Sequence, residues 1–305
     1  MKRLPPLWNA RNIWRRLIMS SITISHIPAI SAIYYALLQT GYDFYSMERT
    51  QEHTRQIQNF YIPGHAIDFF RRTKQDTCSV YPYWPRAALL ETATFYLNLS
   101  DAKYVDFPAY YEKVMSAGNL SAEERNQNFW DWIKDFPSAL KTVVLSDSFS
   151  EYMKWEGQWI EKQNAMHTRD LAFLQTCLDV CRALYASTVE NIQVVLSPIK
   201  CVYSSDYHMV ETTFISTSGA FRSESVVHEL LHSVVHPVVT QYQNNILECR
   251  QKYPELDESY YLSGHDEGFL NAFEEFVVRA LVKELLSNTP PYDLTTYVLE
   301  MLAEK

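Results

Sequence analysis

Residues 225–237 read SVVHELLHSVVHP and contain an H-E-x-x-H motif inside an apolar stretch. On an α-helix, residues four apart share a face and lie about 6 Å apart along the axis, so His228 and His232 can direct two imidazoles at one metal ion. Glu229 points about 100° away from His228, where its carboxylate can take a proton from water instead of binding the metal. About 0.02 matches to this motif are expected by chance in a chain of this composition and length. The motif therefore predicts half of a zinc site, with Glu229 as the catalytic residue.

The residues around the motif supply the helix that it needs. Ser223 and Ser225 can cap the start of this helix, and Pro237 is predicted to mark its end. An apolar face is formed by the valines and leucines at positions 226, 227, 230, 231, 234 and 235. The alternative is a buried helix whose histidines only pack or form hydrogen bonds.

A catalytic zinc ion usually has three protein ligands and one position for water, so a third ligand is needed. His236 is excluded, because it lies about 12 Å of helix rise from His228 and zinc–nitrogen distances are about 2.1 Å. Val235 and Val238 stand where the extended motif H-E-x-x-H-x-x-G-x-x-H requires Gly and His. The third ligand is therefore expected further along the chain.

A second helical pattern, over residues 264–282, carries acidic residues among apolar ones. The apolar residues mark a buried side, and Glu274 and Glu275 fall near its border, where a metal ion is a suitable partner for a carboxylate. Glu275 can alternatively form a solvated salt bridge with Arg279, one turn later.

Two stretches of the chain resemble gluzincin-type zinc metallopeptidases. Residues 228–237, HELLHSVVHP, and residues 274–280, EEFVVRA, are similar to the patterns H-E-F-x-H-S-F-V-N-P and N-E-x-L-V-R-A of an uncharacterised bacterial domain family within that group. The resemblance implies a zincin fold, hydrolysis of peptide bonds and Glu275 as the third zinc ligand.

The resemblance also leaves two alternative third ligands. Aminopeptidase-type gluzincins carry an Asn-Glu-Gly-Phe stretch whose Glu binds zinc, and Glu267 occupies that place in the similar stretch Asp-Glu-Gly-Phe. Glu274 is the other alternative. Where the bacterial family has Asn, this chain has His236 and Glu274, so the charge around the site differs.

These residues predict a hydrolytic mechanism with one zinc ion per chain. Glu229 takes a proton from the attacking water and delivers it to the leaving amine. Asp266 or Glu274 can accept the Nδ1 hydrogen of a ligand histidine. A further donor is expected to stabilise the negative charge that develops on the carbonyl oxygen. The candidates, which flank the site in sequence, are Tyr207, His208, Tyr260, Tyr261 and His265.

The composition fits an enzyme with a sizeable core. The chain has 305 residues, of which 47% are hydrophobic, and only 7 glycines, with no Gly-rich phosphate-binding motif. Its net charge of −9, without a long basic run, argues against nucleic acid as a partner. Five cysteines without a C-x-x-C pair favour a reducing compartment, so a cytoplasmic location is predicted.

Residues 17–42 carry no charged side chain, which raises the question of a membrane anchor or a signal peptide. Many polar residues interrupt this stretch, so no membrane partner is expected. A strand over residues 22–25 and a helix that begins at Pro28 are predicted instead. Secretion or membrane anchoring through the N-terminal segment is the alternative.

The predicted fold class is α+β, mostly helical, with a small mixed sheet ahead of the H-E-x-x-H helix. Residues 1–16 are predicted to form an N-terminal extension, residues 17–190 a mainly helical region, and residues 191–305 a zincin-like catalytic region packed on it as one unit. Residues 192–196 and 210–216 are predicted strands. The second is the candidate edge strand for an extended peptide, with an interior strand as the alternative.

The sequence thus predicts a zinc-dependent peptidase that acts on a peptide or protein substrate. The alternative is a noncatalytic protein that binds peptides or proteins on the same fold. Glu229 favours the enzyme, since a binding protein has no chemical need for a general base at this position.

Overall fold

The structure, a computed structural model, describes residues 22–40, 64–77, 86–116, 127–200, 205–259 and 265–303. In these ranges the protein is mostly helical with a small mixed sheet, so the predicted α+β class is confirmed. The predicted N-terminal extension, residues 1–16, lies outside the described residues. No helix within the described ranges is both long and apolar enough to cross a membrane.

Helices make up most of the described chain. They are, in chain order, α1 Pro28–Gln39, α2 Gly64–Thr77, α3 Arg86–Thr94, α4 Phe107–Ser116, α5 Gln127–Ile133, α6 Phe136–Val144, α7 Asp147–Met166, α8 Thr168–Tyr185, α9 Ser223–Gln241, α10 Gln243–Glu248, α11 Pro254–Ser259, α12 Asp266–Leu286 and α13 Leu294–Ala303. The 3₁₀ turn Arg250–Lys252 lies between α10 and α11. The helix predicted from Pro28 is confirmed as α1, because the fixed φ of proline suits the first helical turn.

The main sheet has four strands in the spatial order β1-β4-β6-β5. They are β1 Ile24–Ser25, β4 Asn191–Leu196, β5 Asp206–Val210 and β6 Thr213–Ser218. β1, β4 and β6 are parallel, and β5 runs antiparallel to β6 at the edge. A separate antiparallel pair joins β2 Leu97–Asn98 to β3 Lys103–Tyr104. β1 belongs to the predicted helical region 17–190 and β4 to the predicted region 191–305. Because these two strands pair, one sheet contains residues of both predicted regions.

The prediction of residues 210–216 as one edge strand is wrong. Glu211 adopts a left-handed φ of 52° in a turn that divides the segment between β5 and β6. β6 lies inside the sheet between β4 and β5, so the interior alternative is correct for that part. One edge of the sheet is formed instead by β5, nearly all of which precedes the predicted strand.

The sheet separates two hydrophobic cores. Val195 and Ile215 face a first core built from α1 to α7, whereas Val194 and Phe214 face a second core that includes α8, α9 and α12. Neighbouring residues of a strand point to opposite faces, so β4 and β6 contribute to both cores. This arrangement explains why β4 is an almost continuous apolar run.

A buried polar network lies on the face of the sheet that carries the first core. Lys200, which follows β4 and is 1% exposed, donates hydrogen bonds to Glu91 Oε1 at 2.7 Å, to Thr217 Oγ1 at 2.9 Å and to Asp206. Glu91 of α3 also accepts a hydrogen bond from Thr217 at 2.7 Å and contacts Nε2 of His208 at 2.9 Å. This set of five residues, the Glu91–Lys200 network, ties α3 to β5 and β6.

Two details of the predicted metal helix are wrong. The N-cap residue of α9 is Arg222, so neither Ser223 nor Ser225 caps the helix. α9 also continues through Pro237 to Gln241. Val239 is buried in the second core, and this burial outweighs the one backbone hydrogen bond that proline cannot donate.

Candidate metal centre

α9 and α12 pack against each other and carry the candidate site. Fully buried residues such as Leu231 on α9 and Val278 on α12 hold the two helices together in the second core. His228, His232 and Glu275 lie at the border of this contact, where each side chain is partly exposed. The helix pair therefore brings the three side chains to one place from two distant parts of the chain.

The structure brings together the potential ligand atoms of His228, His232 and Glu275. The Nε2 atoms of the two histidines are 3.3 Å apart. Oε2 of Glu275 lies 3.3 Å from Nε2 of His228 and 3.4 Å from Nε2 of His232. The three atoms thus form a nearly equilateral triangle.

This triangle has the dimensions of one face of a zinc coordination tetrahedron. With zinc–ligand bonds of about 2.0 to 2.1 Å, tetrahedral ligand atoms lie about 3.3 to 3.4 Å from one another. Two imidazole nitrogens and one carboxylate oxygen also form a common ligand set of catalytic zinc sites. The side chains therefore fit a zinc ion in both spacing and chemistry.

Glu274 lies behind the histidines and orients one of them. Its Oε1 contacts Nδ1 of His232 at 2.7 Å, and its Oε2 contacts Nδ1 of His236 at 2.8 Å. When the hydrogen of the His232 ring is on Nδ1, Nε2 carries a lone pair that can bind a metal ion. Both oxygens of Glu274 are occupied in this way, so the structure does not bring it to the ligand position. Asp266, the other candidate for this role, instead pairs with Arg250 at 2.9 Å.

Glu275 has contacts that suit both predicted alternatives, the metal ligand and the salt bridge. Oε2 faces the two histidines, while Oε1 accepts a hydrogen bond from Nε of Arg279 at 2.8 Å. Burial raises the pKa of Glu275, but hydrogen bonds with His228 and His232 and the charge of Arg279 hold it well below its usual range. The carboxylate is therefore ionised, as a metal ligand must be.

Glu229 lies beside the triangle without belonging to it. Burial, with added repulsion from Asp206 and Glu275, raises its pKa to about 7, although the histidines oppose this shift. A carboxyl group with a pKa near neutrality can both accept and release a proton. This property suits the role of general base and acid.

A cavity of about 780 Å³ lies next to the candidate metal centre. His228, Glu229 and Glu275 form part of its wall. The remaining lining residues are Ser205, Arg222, Ser223, Glu224, Ser225, Arg279, Val282 and Lys283. The volume is sufficient for several residues of a bound peptide.

Of the predicted oxyanion donors among the described residues, Tyr207 is the one that lies next to the candidate metal centre. Its ring is parallel to that of His232, with ring centroids 6.5 Å apart. His208, its neighbour on β5, points to the opposite face of the sheet and contacts Glu91. His265 is exposed just before α12, and Tyr260 and Tyr261 lie outside the described residues.

Glu267, the rival third ligand, is exposed in the first turn of α12 and is not part of the triangle. It precedes Glu275 by eight residues, or about 12 Å of helix rise. The cations of the cavity were not among the predicted site residues. Arg279 and Lys283 could have been found, because they follow Glu275 by one and two helical turns. Comparison of the chain with protein-family models, curated proteins and solved structures finds no match.

Proposed function

We propose that the protein is a zinc-dependent peptidase of zincin-like fold, in which His228, His232 and Glu275 bind one zinc ion. The observation that carries the proposal is the triangle of ligand atoms with sides of 3.3, 3.3 and 3.4 Å. Ligand atoms at three corners of a zinc coordination tetrahedron have this spacing. The contact of Glu274 with His232 further supports the proposal, because ligand histidines usually have such a partner.

The chemistry follows from the position of Glu229. A zinc ion bound here would act as a Lewis acid. It would polarise the peptide carbonyl and lower the pKa of a zinc-bound water, to about 7 in favourable sites. Glu229 accepts a proton from the attacking water on a carboxylate oxygen and delivers it to the nitrogen of the leaving amine. Its pKa of about 7 allows both transfers near neutral pH.

The edge strand β5 is suited to hold the substrate. Among the described residues β5 pairs only with β6, so the backbone groups of its other edge are available to an extended peptide. Tyr207 of this strand lies against His232, so a peptide paired with β5 passes next to the metal ligands. Burial, together with the charges of Glu274 and Glu229, raises the pKa of Tyr207 to about 12. The hydroxyl group thus keeps its proton and can donate a hydrogen bond to the developing oxyanion.

Metal content is the experiment that tests the proposal. We expect about one zinc per chain in wild-type protein by mass spectrometry, and loss of most of this zinc in Glu275→Gln, because the neutral amide is a poor zinc ligand. Glu267→Gln is the matched control and should keep its zinc. Loss of zinc in Glu267→Gln alone would transfer the third ligand to that residue. Wild-type protein that takes up no zinc after reconstitution would contradict the proposal and favour a noncatalytic peptide-binding protein.

Glu274→Gln is expected to weaken zinc binding without removing a ligand. The amide can no longer hold the Nδ1 hydrogen of His232 with a full negative charge, so the affinity for zinc should fall about 10- to 100-fold. Competition with a chelator of known affinity measures the change. Asp266→Asn serves as the control, because Asp266 pairs with Arg250 at the surface. Equal zinc affinity in Glu274→Gln and wild type would exclude Glu274 as an orienting residue.

A further inference from the structure

The wall of the cavity next to the candidate metal centre carries three cations, Arg222, Arg279 and Lys283, and three acids, Glu224, Glu229 and Glu275. The two signs are not evenly distributed. Beyond Glu275, the charged lining residues of α12 are the cations Arg279 and Lys283. Neighbouring charges of one sign in a concave site reinforce one another and attract the opposite charge.

Two of these cations form a row that leads away from the centre along α12. Arg279 and Lys283 follow Glu275 by four and eight residues, which corresponds to about 6 Å and 12 Å along the helix axis. Val282 lies beside them in the wall. An extended peptide advances about 3.3 to 3.6 Å per residue, so the two cations stand about two and about three to four residues from the metal ligand.

The protein itself does not neutralise these two cations fully. Arg279 uses Nε to bind Glu275, and its terminal guanidinium nitrogens form no hydrogen bond within the described residues. Lys283 is exposed and has no carboxylate partner among those residues. A planar guanidinium group with two uncommitted nitrogens is well suited to bind a carboxylate.

We infer that this cavity binds a carboxylate group of a peptide substrate. The inference rests on the proposed function for the position of the scissile bond, whereas the carboxylate site itself stands on Arg279 and Lys283. The carboxylate is either the C-terminus of the peptide or an Asp or Glu side chain. Lys283 and Arg279 would act by binding this group and not by taking part in the chemical step.

Binding to a variant that cannot hydrolyse peptides tests this inference directly. Zinc-loaded Glu229→Gln protein is immobilised and exposed to three acetylated hexapeptide libraries of random sequence, and the retained peptides are identified by mass spectrometry. The first library has a free C-terminus and lacks Asp and Glu, the second is amidated and contains them, and the third is amidated and lacks them. We expect the first or the second to be retained in preference to the third, and the library that is retained identifies the source of the carboxylate.

The same binding measurement is then made with Lys283→Gln and Lys283→Glu in the Glu229→Gln background. Loss of one partner of an exposed ion pair should reduce the retention of the preferred library about 2- to 5-fold, and the reversed charge should reduce it further. Lys162→Gln is the matched control, because it removes an exposed lysine of α7 that is distant in sequence from Lys283. Equal retention of all three libraries, or unchanged retention in both Lys283 variants, would overturn the inference.

Hydrolysis by the wild-type protein separates this inference from the proposed function. Cleavage of all three libraries at equal rates would leave the peptidase in place and remove the carboxylate site. No cleavage of any library, combined with retention that depends on Lys283, would support the carboxylate site and contradict the peptidase.

Discussion

Zinc-loaded Glu229→Gln protein is expected to hydrolyse peptides at about 10⁻² to 10⁻⁴ of the wild-type rate, which is the usual contribution of a general base. Gln has nearly the same size as Glu but cannot accept a proton from water at neutral pH. The zinc content should not change, because the triangle of ligand atoms belongs to His228, His232 and Glu275. The measurement is kcat on a cleaved peptide, with zinc determined on the same sample.

Glu248→Gln is the matched control for this experiment. Glu248 is an exposed acid at the end of α10, so the variant makes the same chemical change outside the cavity and should keep the wild-type rate. Full activity in Glu229→Gln would exclude Glu229 as the base. Loss of zinc together with activity would mean that Glu229 supports the metal, and the assignment of the base would then fail as well.

The helix that carries the H-E-x-x-H motif could be predicted because the motif and the apolar residues around it lie within one short stretch of sequence. An H-E-x-x-H motif within one helix defines the relative directions of His228, Glu229 and His232 through helix geometry alone. The choice among the candidate third ligands depends on how α12 packs on α9. Glu274 and Glu275 are neighbours whose directions differ by about 100°, and the packing directs Glu275 to the triangle and Glu274 to the far side of His232. Residue patterns could therefore reduce the choice to a few acids but could not select one.

The errors arose where tertiary contacts outweigh local preference. Pro237 usually ends a helix, yet α9 continues because Val239 packs in the second core. The edge strand was missed for a related reason. The apolar and β-branched residues at 213–216 favour a strand, but the spatial order of strands depends on contacts with β1 and β4, which lie far away in sequence.

The Glu91–Lys200 network left no signal in the sequence at all. Glu91 and Lys200 are 109 residues apart and belong to no motif, and a lone lysine is normally a surface residue. The network is nevertheless close to the centre, since Asp206 is one of the charges that raise the pKa of Glu229. The contacts of His208 could not be predicted from the sequence either. It was a candidate donor because it flanks the site in sequence, but alternation along β5 directs it to Glu91 instead.

Lys200→Met is expected to lower the free energy of unfolding by about 3 to 5 kcal/mol, because it leaves Glu91 buried without the charge that compensates it. Glu91 is fully buried, and Met fills much of the space of the lysine side chain, so the loss is mainly electrostatic. Urea unfolding followed by circular dichroism measures the change. Lys134→Met is the matched control. It removes an exposed lysine that pairs with Asp131 at 2.9 Å, and it should cost less than about 1 kcal/mol.

The pH dependence gives this prediction a second test. Burial raises the pKa of Glu91, but the charge of Lys200 and the contact with His208 hold it well below its usual range in the folded wild type. The stabilisation by the network is therefore complete above the unfolded pKa of about 4.3 and is lost as the pH falls towards the folded value. In Lys200→Met, Glu91 can take up a proton at a higher pH and become a neutral buried group. The difference in stability between the two proteins should thus be largest near neutral pH and shrink as the pH is lowered through about 4. A difference below about 1 kcal/mol at pH 7, or one that does not change with pH, would contradict an ionised buried pair.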